Sequence, residues 1–171
     1  MDAPSITIAY DIDGVIAPLL DEISPACAEL PYVNHGTHVL LHGIAALKEW
    51  HHLGAQVQWH STWRPPYTDE LAQAVRLPQF ETFASEQEYL RPSPPNSWWK
   101  LAAVQRWLHQ RPADTHERLV WIDDDIAEAV SSGEIPAGLL EDPRVELISP
   151  DLEIGLSADE VARVTAWLGC G

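Results

Sequence analysis

The stretch Ile6-Thr-Ile-Ala-Tyr-Asp-Ile-Asp-Gly-Val-Ile16 decides the fold. Its apolar run reads as a buried parallel strand over residues 5–11. Two carboxylates, Asp11 and Asp13, stand at its carboxyl end, and Gly14 lets the chain turn away at once. Open α/β sheets place their ligand crevice at such strand ends. Paired carboxylates there suit a hard cation and a phosphoryl group.

Outward from this strand, strand and helix patterns alternate. Residues 14–38 are rich in Pro and Gly and read as an irregular loop or small flap. Residues 40–53 carry one apolar side (Leu41, Ile44, Leu47, Trp50) and predict a helix that Gly54 closes. Residues 55–61 alternate and predict a strand, followed by a loop over 64–67. A short helix is predicted over 68–76 with Thr68 as N-cap, then a short strand over 80–83. Residues 91–96, Arg-Pro-Ser-Pro-Pro-Asn, are excluded from a helix interior, and Ser97 is the predicted N-cap of a helix over 98–110.

Residues 118–123 form a second clear apolar strand ending in acid, with a helix over 126–132 and a last strand over 144–149. Ser157-Ala-Asp-Glu160 is a capping box that starts a final helix running to Gly169. Strands alternating with helices predict an α/β fold, a three-layer α/β/α sandwich around a mostly parallel sheet. Strand 5–11 should be central, with 118–123 on one side and 55–61 on the other. Asp11 and Asp123 should then face each other across the crevice.

The 171 residues suffice for one sizeable core and are short for two domains, so a single domain over 1–171 is expected. Ten basic against 26 acidic side chains leave a formal charge of −16, which argues against broad nonspecific nucleic-acid binding. Arg64, Arg91, Lys100 and Arg106 allow a local positive rim. Cys27 and Cys170 make no disulfide framework. Met1-Asp-Ala-Pro leads into the first strand without a signal-peptide pattern, and no apolar run approaches the ~20 residues that span a bilayer. A soluble, cytoplasmic protein without membrane contact is the expectation.

Four polar elements fall at predicted strand ends or at a helix start: Asp11/Asp13, Ser61/Thr62, Lys100, and Asp123/Asp124/Asp125. Phosphoryl transfer needs these groups. A carboxylate can attack phosphorus, a second can move the leaving-group proton, and a hydroxyl and an ammonium can hold the non-bridging oxygens. Further carboxylates can hold Mg2+.

In order and type these elements resemble the haloacid dehalogenase (HAD) superfamily. Its Asp-x-Asp-Gly motif is matched by Asp11-Ile-Asp13-Gly14, and its strand-end Ser/Thr by Ser61. Its helix-start lysine is matched by Lys100, and its late acidic pair by Asp123-Asp124. The resemblance covers most of the chain. The Trp-x-Ser-Thr-Trp and Trp-Ile-Asp-Asp pieces, and Gly155-Leu-Ser followed by Trp167, are most similar to the small HAD domains of bacterial RNA-repair proteins.

The resemblance implies a HAD-like Rossmannoid fold and a Mg2+-dependent phosphomonoesterase working through an aspartyl phosphate. Asp11 would be nucleophile and metal ligand. Asp13 would be general acid/base and lend its backbone carbonyl to the metal. Ser61 would bind the phosphoryl group, with Thr62 as the alternative, and Lys100 would neutralise the charge. Asp123 and Asp124 would hold Mg2+, one directly and one through water. Asp125 receives no role. Asp13 favours phosphate-ester chemistry over halide displacement.

The gaps between motifs leave no room for a large cap domain. A minimal-cap member resembles those acting on bulky substrates such as nucleic-acid ends or proteins, or those relying on a partner as lid. The partner is thus a phosphorylated substrate, a small molecule or a nucleic-acid end. Net charge argues against long RNA, and the family resemblance argues for it.

Other residues with suggestive spacing have simpler structural roles. His35, His38 and His42 have metal-like spacing but read as a solvated loop, and His51-His52 as a surface pair at a helix end. Trp98-Trp99 read as packing that shields Lys100, and Trp59 and Trp121 as core. The alternative function is a non-catalytic phosphate- or metal-binding module, HAD-like or receiver-like. A receiver would carry its acidic pair first and its phospho-accepting Asp in mid-chain, the reverse of this order.

Overall fold

β1, Ile6–Tyr10, is buried at every position. A strand this apolar has no face to give to water, and it lies inside a sheet covered on both sides. The computed structural model describes residues 5–19, 25–91, 98–113 and 115–169. In it β1 pairs in parallel with β4 (Gln56–Trp59) and with β5 (Arg118–Ile122), and β6 (Val145–Ile148) extends the sheet. The order β4-β1-β5-β6 is the one expected for the three inner strands.

Alternation along the strands sends their side chains into two separate cores. Ile8 and Tyr10 of β1, with Val120 and Ile122 of β5, face α1 (Leu41–His52), α2 (Tyr67–Val75) and α7 (Ala158–Gly169). Ala9, Leu119 and Trp121 face α4 (Trp99–His109), α5 (Ile126–Ser131) and α6 (Ala137–Leu140). The result is a parallel sheet flanked by helices on both faces, a HAD-like Rossmannoid α/β fold. No helix among the described residues is long and apolar enough to cross a membrane.

α1 buries Ile44, Leu47 and Trp50 on one side, as the periodicity requires, whereas Leu41, expected on that side, is exposed at the helix start. Ser157 and Glu160 form the expected reciprocal cap: the Glu160 carboxylate accepts from the Ser157 amide at 2.8 Å, and the Ser157 Oγ from the Glu160 amide at 3.3 Å.

Four departures have local causes. The 14–38 segment is not all irregular: β2 (Cys27–Leu30) and β3 (Thr37–Leu40) pair as an antiparallel hairpin. Its turn passes through Asn34, His35 and Gly36, all at positive φ, which is hairpin chemistry in a stretch whose prolines drew the eye. Thr68 is no N-cap but a buried residue inside α2, which starts one residue earlier behind Pro66. Residues 80–83 make a single bridge, Thr82 to Trp59, rather than a full strand. α3 (Glu86–Leu90) was not foreseen, although Ser85 and Glu88 form a second capping box in front of it. The predicted cap Ser97 lies outside the described residues.

Candidate active site

Parallel strands bring their carboxyl ends to one edge of the sheet, and each motif starts where its strand stops. Asp11 follows β1 and its amide donates to Ile122 O at 3.0 Å; Asp123 follows β5 and its amide donates to Ile148 O at 3.1 Å. His60 and Ser61 follow β4, whose Trp59 is level with Tyr10. Lys100 reaches the same edge from the first turn of α4.

Asp11, Asp123 and Asp124 each offer a carboxylate oxygen, and these oxygens lie within 4.8 Å of one another. Asp11 and Asp123 are buried and Asp124 is half-buried. Between the two buried acids sits the Lys100 ammonium, 2.5 Å from Asp11 Oδ2 and 2.7 Å from Asp123 Oδ2. The other oxygens are also held: Asp11 Oδ1 accepts from the Ile12 amide at 2.6 Å, and Asp123 Oδ1 from the Asp125 amide at 3.2 Å. The Trp121 indole donates to Asp123 Oδ2 at 3.3 Å.

Charge balance explains the proton affinities. Burial alone would lower the Lys100 ammonium, but Asp11 and Asp123 outweigh it and raise it. Burial and the neighbouring Asp11 push Asp123 up. Burial, then Asp125 and Asp11, push Asp124 to about 6. One ammonium does not neutralise this many acids, and all their donor atoms are hard oxygens. Asp11, Asp123 and Asp124 therefore fit a small divalent cation such as Mg2+.

Asp13 stands apart from the three acids, half-buried, and its Oδ2 accepts from the Trp63 indole N–H at 2.9 Å. Burial pushes its carboxyl up, against the Trp63 bond that favours the charged form. Ser61 is buried, and its Oγ accepts from the Trp63 amide at 3.2 Å. Its hydroxyl hydrogen is thereby left for another acceptor. Thr62 is exposed.

Gly14 has φ +67°, and a Cβ placed there would lie 2.4 Å from the Asp124 carboxyl carbon. The missing side chain lets the acidic loop after β5 close onto the turn after β1.

Two neighbours escaped the sequence reading. Trp63 appeared only as a flank of Trp-His-Ser-Thr-Trp, yet it touches both the acid and the hydroxyl; its position two residues past Ser61 was the available signal. His60 is buried between Phe83, Trp99 and Trp121, and its Nε2–H donates to Lys100 O at 3.1 Å, anchoring the start of α4. Trp99 lies 5.9 Å from the Lys100 ammonium, whereas Trp98 packs on Trp121 at 4.9 Å. His38 lies in β3 and His42 in the first turn of α1, where its Nε2–H donates to Leu156 O, rather than in a loop; His35 is exposed in the hairpin turn. None of the three joins a metal-competent cluster among the described residues.

No curated protein matches the chain. The family described as the HAD domain in Swiss Army Knife RNA repair proteins matches residues 7–161, from β1 into α7. With the Asp-x-Asp-Gly turn on the central strand and the late acidic pair beside it, the chain belongs to the HAD domain family of Swiss Army Knife RNA repair proteins.

Proposed function

We propose that the protein is a Mg2+-dependent phosphomonoesterase. The observation that carries this reading is the junction of Asp11, Asp123 and Asp124 around the Lys100 ammonium. Nucleophile, cation ligands and counter-charge come from three different segments and meet at one strand edge.

In this reading Asp11, Asp123 and Asp124 hold the cation, together with the Asp13 backbone carbonyl. When bound, the cation orients the phosphate and offsets its negative charge. An Asp11 carboxylate oxygen attacks phosphorus while the bond from phosphorus to the ester oxygen breaks. Asp13 gives its proton to that departing oxygen. Burial raises the Asp13 carboxyl, the direction that suits a proton donor. Asp13 then takes a proton from water, and the water oxygen attacks phosphorus. The bond from phosphorus to Asp11 breaks, releasing inorganic phosphate and restoring the carboxylate. Ser61 Oγ–H and Lys100 hold the non-bridging oxygens, with Thr62 at the exposed rim.

The family's association with RNA repair supports a terminal phosphate on a nucleic acid as substrate. Among the described residues the segment between β1 and α1 forms only the small β2–β3 hairpin and no large lid, which suits a polymer end. The test is phosphate release from phosphomonoesters, including 5′- and 3′-phosphorylated oligonucleotides, with and without Mg2+. Turnover that needs both Mg2+ and Asp11, and is lost in Asp11→Asn, is the expected result. Turnover that survives Asp11→Asn would overturn the mechanism. A folded, Mg2+-binding protein inert on every ester would leave a non-catalytic phosphate-binding role.

A further inference from the structure

Arg64 follows Trp63 in the loop after β4. Its guanidinium carbon lies 4.2 Å from the Tyr89 ring centroid and 5.4 Å from that of Trp99. Trp99 is the same ring that neighbours the Lys100 ammonium, so one indole stands beside both cations. The rings hold the guanidinium by its face.

Its edge is unused. Nε and Nη2 are buried, and neither has a hydrogen-bond acceptor among the described residues. Arg106, Arg111, Arg144 and Arg163 each hold a carboxylate, whereas Arg64, like Arg76, Arg91 and Arg118, has no ion pair among the described residues. The nearby Glu88 is taken: its carboxylate accepts from Arg106 Nε at 2.7 Å and from the Ser85 amide at 2.8 Å. Buried guanidinium N–H groups without acceptors are costly and rarely kept without use. Arg64 also lines a cavity of about 350 Å³ with Pro65, Thr82, Ala84, Glu86 and Tyr89.

We propose that Arg64 binds a second phosphate of the substrate, the phosphodiester adjoining the terminal phosphate of a nucleotide chain. This rests on the phosphomonoesterase reading and names its substrate class. A planar fork of donors without a hydrogen-bond acceptor, although Glu86 lies on the same cavity, matches a phosphate's paired oxygens. Among the described residues no hydrogen bond ties the guanidinium, which lines the cavity, to another group. Arg64 is joined to the site at both ends, through Trp63 to Asp13 and across Trp99 to Lys100.

Glu86 on the same cavity repels a free anion, so the anion Arg64 takes must arrive tethered to a group bound elsewhere. The terminal phosphate at Asp11 is that tether, and it raises the effective concentration of its neighbour. A protein of charge −16 repels the body of a long nucleic acid. One arginine beside the site then reads the end of the chain only.

The test compares a nucleoside 3′-monophosphate with a dinucleotide carrying the same terminal 3′-phosphate, and the matched 5′ pair. In one of these pairs the wild-type dinucleotide should have the lower KM, and Arg64→Gln should bring the ratio of the two KM values near one. A charged hydrogen bond of this kind corresponds to a change of roughly 10- to 100-fold. Arg64→Lys, which keeps the charge without the fork, should restore part of the difference. An equal loss on both members of a pair, or an intact dinucleotide advantage, overturns the proposal. A nucleoside 3′,5′-bisphosphate bound better than either dinucleotide overturns its assignment to a chain. No wild-type turnover of any of them would overturn the phosphomonoesterase reading instead. The ratio of dissociation constants for the same compounds on Asp11→Asn, by calorimetry, then decides the role of Arg64 alone.

Discussion

The Trp63 indole N–H donates to Asp13 Oδ2 at 2.9 Å, while the Trp63 backbone amide donates to Ser61 Oγ at 3.2 Å. One residue therefore orients the proposed proton carrier and the proposed phosphate ligand. With Oδ2 occupied, Oδ1 of Asp13 is left to carry the mobile proton. Trp63→Phe keeps the ring and removes the donor. It should lower kcat about tenfold on alkyl phosphates, the scale of one hydrogen bond of roughly 1–1.5 kcal/mol. Aryl phosphates, whose leaving groups need no proton, should be far less affected. A plot of log kcat against leaving-group pKa checks this, and an equal loss on both ester types would assign Trp63 to packing.

The ammonium between Asp11 and Asp123 is the site's internal counter-charge. Lys100→Met leaves two buried acids facing each other, and breaking a buried pair in this way costs about 3–5 kcal/mol. Mg2+ should stabilise the wild-type protein by roughly 2.7 kcal/mol at a hundredfold excess over its Kd. Asp123→Asn should lose most of that gain, and so should chelation. Thermal unfolding with and without Mg2+ reads all of these.

Gly14 and Asp124 occupy one space. Gly14→Ala puts a methyl where the Asp124 carboxylate lies and forces a non-glycine residue to φ +67°. It should cost about 1–3 kcal/mol in stability and weaken Mg2+ binding by displacing Asp124. An Mg2+ titration followed by melting temperature separates the effects. Unchanged affinity in a destabilised variant would show that Asp124 is not needed for the cation.

His60 makes stability depend on pH. Burial first, and then the charges of Lys100, Arg64 and Arg106, hold its pKa well below the ordinary histidine value. The folded chain keeps His60 neutral, whereas the unfolded chain takes up a proton near pH ~6.5. The unfolded state thus binds more protons below that pH. The His60 contribution is fully present above it and falls as pH drops, by up to ~1.4 kcal/mol per unit. The raised carboxylates Asp123 and Asp124 act in the opposite sense in metal-free protein. The difference in unfolding free energy between wild type and His60→Gln isolates the histidine. It should shrink from pH 7.5 to 5.5, and a constant difference would mean that His60 is not held neutral.

How far the molecule was legible in its sequence follows from which forces are local. Asp11, Asp13, Lys100 and the Asp123–Asp124 pair stood out because each chemistry-bearing residue type ends an apolar run or opens a helix. The inner strand order followed from alternating strand and helix. The Trp63–Asp13 bond did not, because it depends on how the loop after β4 turns back over the end of β1, and no periodicity encodes that. The missing acceptor of Arg64 is equally invisible, since only folding shows that Glu88 goes to Arg106 and to its own cap. The β2–β3 hairpin was hidden by the brevity of its strands, although Asn34-His35-Gly36 is turn chemistry in plain view.

Three indoles stand at the proposed site: Trp63 on Asp13, Trp121 on Asp123 and Trp99 beside Lys100. Their emission depends on the charge and hydrogen bonding next to the ring. The protein therefore carries its own optical probe. Arrival of a cation at the acids, or of a phosphate at the ammonium, is readable as a fluorescence change without any label. Because the indoles touch different charged groups, single Trp→Phe replacements can resolve the order in which those groups are engaged.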